Sequence, residues 1–213
     1  RGRDYHDVIR RRLHAVADRL RARFPAEAFR SFVDTGPVLE REHAARAGLG
    51  FIGKHTLLID SRRGSYLLLG GIATTLPLEP TAGGQIESHC GSCTRCIDAC
   101  PTGAIEPYRV DARRCLSYLA IEHEGRIEPG LHAGMRDWLF GCDICQEVCP
   151  FNDPGAASAA RVHPLYRERD GLSGGRLPLG EVLHWTARER HVLLTVSAGK
   201  RASLDMLRRN AVI

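Results

Sequence analysis

At 213 residues the chain has room for one domain and a small additional module, and its 43% apolar content is enough for a sizeable core. No stretch approaches the ~20 apolar residues of a membrane span. The net charge of +5 is uneven: residues 1–30 hold nine arginines against four acids, residues 161–213 hold ten basic groups against five acids, and the middle is net negative. Basic flanks around an acidic centre suit a polyanionic partner, and equally a pair of solvated helix faces. Only Lys54 and Lys200 among the 30 basic residues are lysines. Arginine suits bidentate phosphate contacts, and a GC-rich genome would produce the same bias.

The first expected element is a helix. Tyr5, Val8, Ile9, Leu13, Val16, Leu20 and Phe24 form one apolar stripe, with Asp4 as N-cap, Asp7 at the third helical position and Pro25 as the stop. A short strand at Phe32-Val33 ends at Asp34-Thr-Gly-Pro37. A second helix is expected from Pro37, the favoured first position, to about Ala47, closed by Gly48 and Gly50. Residues 56–60 and 65–70 read as a hairpin through Arg62-Arg63-Gly64. A loop follows at 79–88, then a cysteine-rich module from about His89 to Asn152. Within it Cys115–Phe140 is helical with a break near 125–130. A Gly/Ala/Pro-rich linker is expected at 153–176 and two helical patterns at 178–213. The chain starts almost on a helix and stops in mid-pattern, so both ends read as cut from something longer. A lone hairpin is thin for an independent sheet.

The chemistry concentrates in eight cysteines. Four read Cys90-Gly-Ser-Cys93-Thr-Arg-Cys96-Ile-Asp-Ala-Cys100-Pro101, the C-x2-C-x2-C-x3-C-P run of a bacterial [4Fe–4S] site. The others are Cys115 and Cys142-Asp-Ile-Cys145-Gln-Glu-Val-Cys149-Pro150, a run lacking its first cysteine, for which Cys115 can substitute. In two-cluster ferredoxins the last cysteine of each run ligates the other cluster. The implied sets are Cys90, Cys93, Cys96 and Cys149 for one cluster and Cys100, Cys115, Cys142 and Cys145 for the other, with none left over. A pair of four-cysteine zinc sites would use the same number, but zinc ribbons favour separated C-x2-C pairs. A disulfide framework fits such dense runs less well.

Beyond the cysteines, the chain resembles the epoxyqueuosine reductases over nearly its whole length. The resemblance rests on Gly2-Arg-Asp-Tyr-His6, Phe32-Val-Asp-Thr-Gly-Pro-Val-Leu-Glu-Arg41, Ala47-Gly-Leu-Gly-Phe51 with Gly53-Lys-His55, and Gly64-Ser-Tyr66. It continues through Cys100-Pro-Thr-Gly-Ala-Ile105, Asp111-Ala-Arg-Arg-Cys-Leu-Ser-Tyr118 and Phe140-Gly-Cys-Asp-Ile-Cys-Gln146. Members of that family have a further stretch before the equivalent of Arg1, and many carry helical repeats after the equivalent of Ile213. The resemblance implies an α+β chain: a partial cobalamin-binding α/β domain (1–80), a two-[4Fe–4S] ferredoxin-like module (81–152), and a linker with the start of a helical region (153–213). It implies a base-off cobalamin beside the two clusters, and a tRNA whose wobble epoxyqueuosine is reduced to queuosine. A low-potential donor of flavodoxin or ferredoxin type, a cytoplasmic location and a monomeric state belong to the same expectation.

By this resemblance Asp34 is the general acid and a cofactor contact; read alone, it fits better as an aspartate capping the helix at Pro37. Asp4 and Tyr5 match a segment that faces the cofactor, with helix capping as the alternative for Asp4. Lys54 and His55 follow a glycine-rich turn and are expected against corrin amides or the nucleotide tail, or simply at the surface. Ser117 and Asp143, beside Cys115 and Cys142, are expected where cluster and corrin meet. A plain electron carrier would explain the cysteines but leave residues 1–75 without a purpose. A reductive dehalogenase relative would share the cofactors and act on small organohalides.

Overall fold

The computed structural model describes residues 2–79, 86–153, 163–166 and 177–213, so most of the expected loop at 79–88 and of the linker at 153–176 lies outside the described residues. The first helix, α1, runs Tyr5–Arg23. Asp4 caps it by accepting from the His6 N–H, Asp7 sits in the first turn, and Arg21 and Arg23 complement the dipole in the last. Val8 and Ala17 are buried, and Ile9 and Leu13 close over Gly70, where a Cβ would meet both side chains. Val16, expected on the buried stripe, is 46% exposed.

The strand expected at Phe32-Val33 is β1, Phe29–Phe32. Its register is set by β4, Gly71–Thr74, which pairs with it antiparallel from Phe29↔Thr74 to Phe32↔Gly71. Gly71 is required there, because a Cβ would strike the Phe32 ring. Helix α2 is Glu40–Arg46 and does not start at Pro37. Residues 33–38 are consumed by tight turns instead, with the Thr35 N–H donating to the Val33 carbonyl and the Val38 N–H to the Gly36 carbonyl. Gly48, at φ 70°, ends α2 in the left-handed conformation glycine favours.

The expected hairpin of 56–60 with 65–70 is not formed. β3, Leu58–Ile59, pairs instead with β2, Phe51–Ile52. The Arg62-Arg63-Gly64 turn exists, held by Asp60 Oδ1, which accepts from the Arg62 and Arg63 N–H groups, but it closes only an isolated Asp60↔Gly64 bridge. The chain beyond is drawn into side-chain contacts with the cysteine module: Asn152 accepts from the Ser65 N–H and donates to Ser65 Oγ, which in turn donates to Gln146.

The cysteine module contains α3 (Arg95–Asp98), the β5–β6 hairpin (Ile105–Glu106 with Arg109–Val110), α4 (Leu116–Ile121), α5 (Pro129–Met135) and α6 (Ile144–Glu147). The break between α4 and α5 is as expected, with Pro129 at the first position of α5. Leu116, Leu119, Ile127, Leu131 and Met135 form the local core.

In the tail the two expected helical patterns are three α-helices: α7 (Leu179–His184), α8 (Ala187–Leu194) and α9 (Leu204–Val212). Thr186 divides the first pattern with a reciprocal capping box to Glu189, and Ser203 caps α9. Val182, Trp185, Leu194, Ala202, Met206 and Leu207 pack together, joined by Leu139 and Phe140 from the cysteine module. Buried Asn210 donates to the carbonyls of Ala120 and Leu139, and Arg209 to those of Leu119, His123 and Gly125. These donors satisfy carbonyls at the open C-terminal end of α4, so the tail is docked on the module. No helix of the described residues is long and apolar enough to cross a membrane.

Candidate redox and proton-transfer site

All eight cysteines are free thiols, and they gather in two quartets. Burial pushes the Cys96 thiol up, with Cys90, Cys149 and Cys93 as its charged neighbours. Burial likewise raises Cys149, which is flanked by Cys90 and Cys93. Burial raises Cys142 beside Cys115 and Cys100, and pushes Cys145 up to about 12 beside Cys142, Cys115 and Cys96. Most of these neighbours fall within the sets implied by the cysteine spacing, and the approach of Cys96 to Cys145 crosses them. Each set combines the x2-x2 part of one run, or its substitute Cys115, with the last cysteine of the other. Cys96 lies in α3 and Cys145 in α6, short helices that turn the chain inward at equivalent points of the two runs.

The first quartet rings a cavity of about 190 Å³ also lined by Lys54, His55, His89 and Phe151. Among the described residues no three His, Cys, Asp or Glu side chains are arranged to hold a single ion. The raised thiols must lose their protons to ligate, which a cationic cluster drives.

Lys54 donates to the Gly91 carbonyl at 2.7 Å and the Cys93 carbonyl at 3.0 Å, pinning the loop that presents the first quartet. His55 is 3% exposed, and burial lowers its pKa, so the ring is neutral near pH 7. Its Nδ1 accepts from the Leu57 N–H at 3.2 Å, leaving the ring proton on Nε2, a buried atom without a partner among the described residues. Both residues are thus gathered at the first quartet, and none of their hydrogen bonds reaches Asp34.

At the second quartet, Cys100 Sγ accepts from the Ala104 N–H at 3.3 Å. Ser117 is half-buried in the first turn of α4, two residues after Cys115. Asp143 precedes α6 and accepts from Gln146 Nε2 at 2.8 Å. Tyr66 is pushed up to about 12 by burial and by Asp143, Glu147, Cys145 and Cys149, which puts it near members of both quartets.

A second polar cluster surrounds Asp34. This residue has φ 53°, a left-handed conformation that non-glycine residues enter reluctantly, and its side chain is 56% exposed. Tyr5 Oη donates to Asp34 Oδ2 at 2.9 Å, and His6 Nε2 lies 3.1 Å from the same oxygen. His6 Nδ1 is 2.7 Å from Asp4 Oδ1, and Lys200 Nζ is 2.8 Å from Asp4 Oδ2. Tyr5 and His6 stack with ring centroids 4.0 Å apart. Burial opposes the Asp4 charge, but hydrogen bonds from Lys200 and His6 outweigh it and hold the pKa below the usual carboxylate range. Burial and the bond to Asp34 push Tyr5 well above the usual phenol range. Asp34, Asp4 and Tyr5 are therefore brought together as the sequence suggested. His6 and Lys200 were missed. His6 had a signal in the Gly2-Arg-Asp-Tyr-His6 segment; Lys200 had only its rarity among arginines.

Comparison with known proteins fits this arrangement. A family model described as a 4Fe-4S double cluster binding domain matches residues 89–152, which hold both quartets. A second, described as epoxyqueuosine reductase QueG, DUF1730, matches residues 1–35, which hold Asp4, Tyr5, His6 and Asp34. The epoxyqueuosine reductase of Burkholderia pseudomallei (strain K96243) is 45% identical over 221 residues, an alignment covering 100% of this chain and 53% of that protein. The chain belongs to the epoxyqueuosine reductase family. The Escherichia coli (strain K12) epoxyqueuosine reductase is 46% identical over 93% of this chain and 50% of its own length. The chain thus spans about half the length of the curated relatives it matches. Among solved epoxyqueuosine reductases, a crystal structure with a tRNA-Tyr epoxyqueuosine-modified stem loop superposes with a TM-score of 0.89 at 35% identity, covering 99% of this chain and 54% of that one. The Bacillus subtilis structure, with its aspartate catalytic loop swung out of the active site, gives 0.88 at 33% identity with the same coverage.

Proposed function

We propose that these residues carry the reductive chemistry of an epoxyqueuosine reductase: removal of the epoxide oxygen of epoxyqueuosine in tRNA by two electrons and two protons, giving queuosine and water. The observation that carries the reading is the pairing of two interleaved thiol quartets with an aspartate held in a strained turn by Tyr5 and His6. An electron carrier would need the first and have no use for the second.

In this reading Cys90, Cys93, Cys96 and Cys149 hold one [4Fe–4S] cluster, and Cys100, Cys115, Cys142 and Cys145 the other. The donor set fits: eight free thiols, four of them around one cavity with the buried His55 N–H, unpartnered among the described residues, at its wall. Cobalamin fits by the chemistry of the loop that carries Asp34. A corrin is rimmed with amides that need acceptors, and the loop offers Asp34 at one end and, just past the other, Glu40 with a buried Oε1 lacking a partner among the described residues. Bound cobalamin supplies a low-potential centre able to deliver electrons to the epoxide carbon. Asp34 and Tyr5 would face it, and Ser117 and Asp143 would flank its approach to the second cluster. Lys54 and His55 would serve the first cluster.

The protein's own work is to place protons. Oxygen leaving carbon as an alkoxide is a poor leaving group unless protonated, and a positioned acid is worth roughly 10²–10⁴ in rate. Asp34 is that acid, with Tyr5 fixing its Oδ2. The partners are then a tRNA bearing epoxyqueuosine and a low-potential flavodoxin- or ferredoxin-type donor. The test is anaerobic reconstitution with iron, sulfide and cobalamin, followed by reaction with epoxyqueuosine tRNA and a strong reductant. Queuosine in the digested tRNA supports the reading. Two clusters and bound cobalamin with the epoxide left intact would overturn it.

A further inference from the structure

Asp34 is the last member of a line of titratable groups. From its Oδ2 the line runs 3.1 Å to His6 Nε2, from Nδ1 2.7 Å to Asp4 Oδ1, and from Oδ2 of Asp4 2.8 Å to Lys200 Nζ. We propose that His6 is the proton store for Asp34, and that Asp4, clamped by Lys200 from the tail, keeps His6 in the form that can discharge toward Asp34. The proposal rests on the reading of Asp34 as the acid.

A carboxyl ordinarily titrates near 3.9 and an imidazole near 6.5, so at neutral pH a carboxylate needs a neighbour to supply the proton it gives away. Two groups touch Asp34 Oδ2. The Tyr5 phenol cannot be the source, because burial and its bond to Asp34 bind its proton more tightly than usual. His6 remains. Its two nitrogens have distinct duties. Asp4 is 3% exposed at its side chain and paired with Lys200, so it stays ionised and accepts from Nδ1–H. The proton that can move is therefore the one on Nε2, which faces Asp34.

The transfer balances. The Nε2–H bond breaks and an O–H bond forms on Asp34, leaving His6 neutral with its remaining proton on Nδ1. The Asp34 O–H then breaks as the proton passes to the departing oxygen. His6, 18% exposed at its side chain, recovers a proton from solvent. The charged and titratable groups around His6 are Asp4, Asp34 and Tyr5 in contact, and Lys200 behind Asp4. Arg201 acts on Tyr5 and Asp34 from the tail, itself bonded to Glu122 through both carboxylate oxygens at 2.8 Å, and Asp7 and Arg10 act on Lys200.

Helix capping does not account for the line. Asp4 caps α1 through Oδ1 alone; its Oδ2 is held by Lys200, from the far end of the chain. His6 is a positioning residue in this scheme, since it acts on substrate only through Asp34.

Two measurements test it. The first is nitrogen NMR of the His6 ring in the chain itself, with Asp4→Asn for comparison. Asp4 Oδ1 lies 2.7 Å from Nδ1, so the neutral ring should carry its proton on Nδ1, and Asp4→Asn should shift it toward the Nε2 tautomer; Asn still caps α1. A neutral ring protonated on Nε2 in the parent chain, or a tautomer unmoved by Asp4→Asn, overturns the proposal without reference to turnover. The second is the pH profile of queuosine formation by reconstituted His6→Gln, whose amide can donate to Asp34 but cannot release a proton. Its rate at neutral pH should fall by roughly 10², and the fall in rate that wild type shows as pH rises through the imidazole range should move to lower pH. A wild-type profile in His6→Gln with an inactive Asp34→Asn rejects the proton store and leaves the acid in place. Full activity in both variants removes the acid reading as well.

Discussion

Replacing Lys200 by methionine isolates the contact that ties the tail to the Asp34 cluster. The Asp4 side chain is 3% exposed and its Oδ2 lies 2.8 Å from Nζ, while the Lys200 side chain is 46% exposed. Removing one partner of a fully buried ion pair costs about 3–5 kcal/mol, and an exposed pair contributes about 0–1 kcal/mol. Lys200 stands between these limits. Asp4 also keeps the His6 backbone N–H at 3.0 Å and the His6 ring at 2.7 Å. The expected loss is therefore about 1–2 kcal/mol, and at about 2–4 °C per kcal/mol for a chain of this size the midpoint of thermal unfolding should drop by about 2–8 °C. Calorimetry on samples matched in iron content is the assay, run as a double-mutant cycle with Asp4→Asn. In the Asn background no buried charge remains to strand, so Lys200→Met should cost little there. Because the folded Asp4 pKa lies below its ordinary value, the stability it contributes is present above the ordinary carboxylate range. It is lost as pH falls through the folded value, so the two proteins should converge in acid. An equal loss in both Asp4 backgrounds would refute the reasoning.

The other expectations concern cofactors and substrate. Cys115→Ala should lower bound iron by about one cluster and leave the other intact, because Cys115 neighbours Cys142 and Cys145; iron analysis and the reduced-state EPR spectrum check this, and unchanged values reject the ligand assignment. Asp34→Asn keeps shape and hydrogen bonding without a transferable proton. It should retain clusters and cobalamin while turnover of epoxyqueuosine tRNA falls roughly 10²–10⁴; loss of cobalamin would show that Asp34 mainly shapes the pocket. RNA binding should weaken steeply as salt rises, since a chain with basic ends and only 6% aromatic residues contacts phosphate more than bases; tight binding at high salt in a filter or fluorescence assay would require base readout instead.

Features set by neighbours along the chain are legible in the amino-acid sequence. Asp4 at the start of α1, Gly48 at the end of α2 and the break before Pro129 follow from local capping and backbone preference. The cysteine runs are legible too, because the x2-x2-x3-Pro spacing marks a double-cluster module, and residues 89–152 match such a domain. Pairing over distance is not. The register of β1 is set by Gly71–Thr74, and β3 pairs with Phe51–Ile52 while residues 65–70 are drawn toward Asn152 and Gln146. Short strands carry too little periodicity to name their partner, so the partner with the better packing decides. The proton line is the extreme case. Asp4, Tyr5 and His6 lie on one helix turn, but Asp34 reaches them through a strained turn and Lys200 through a docked tail. Sequence determined the chemistry of each group by residue type. Only the tertiary structure decided which of them meet, because an ion pair between positions 4 and 200 closes a very long loop, and no local preference of the chain specifies such a closure.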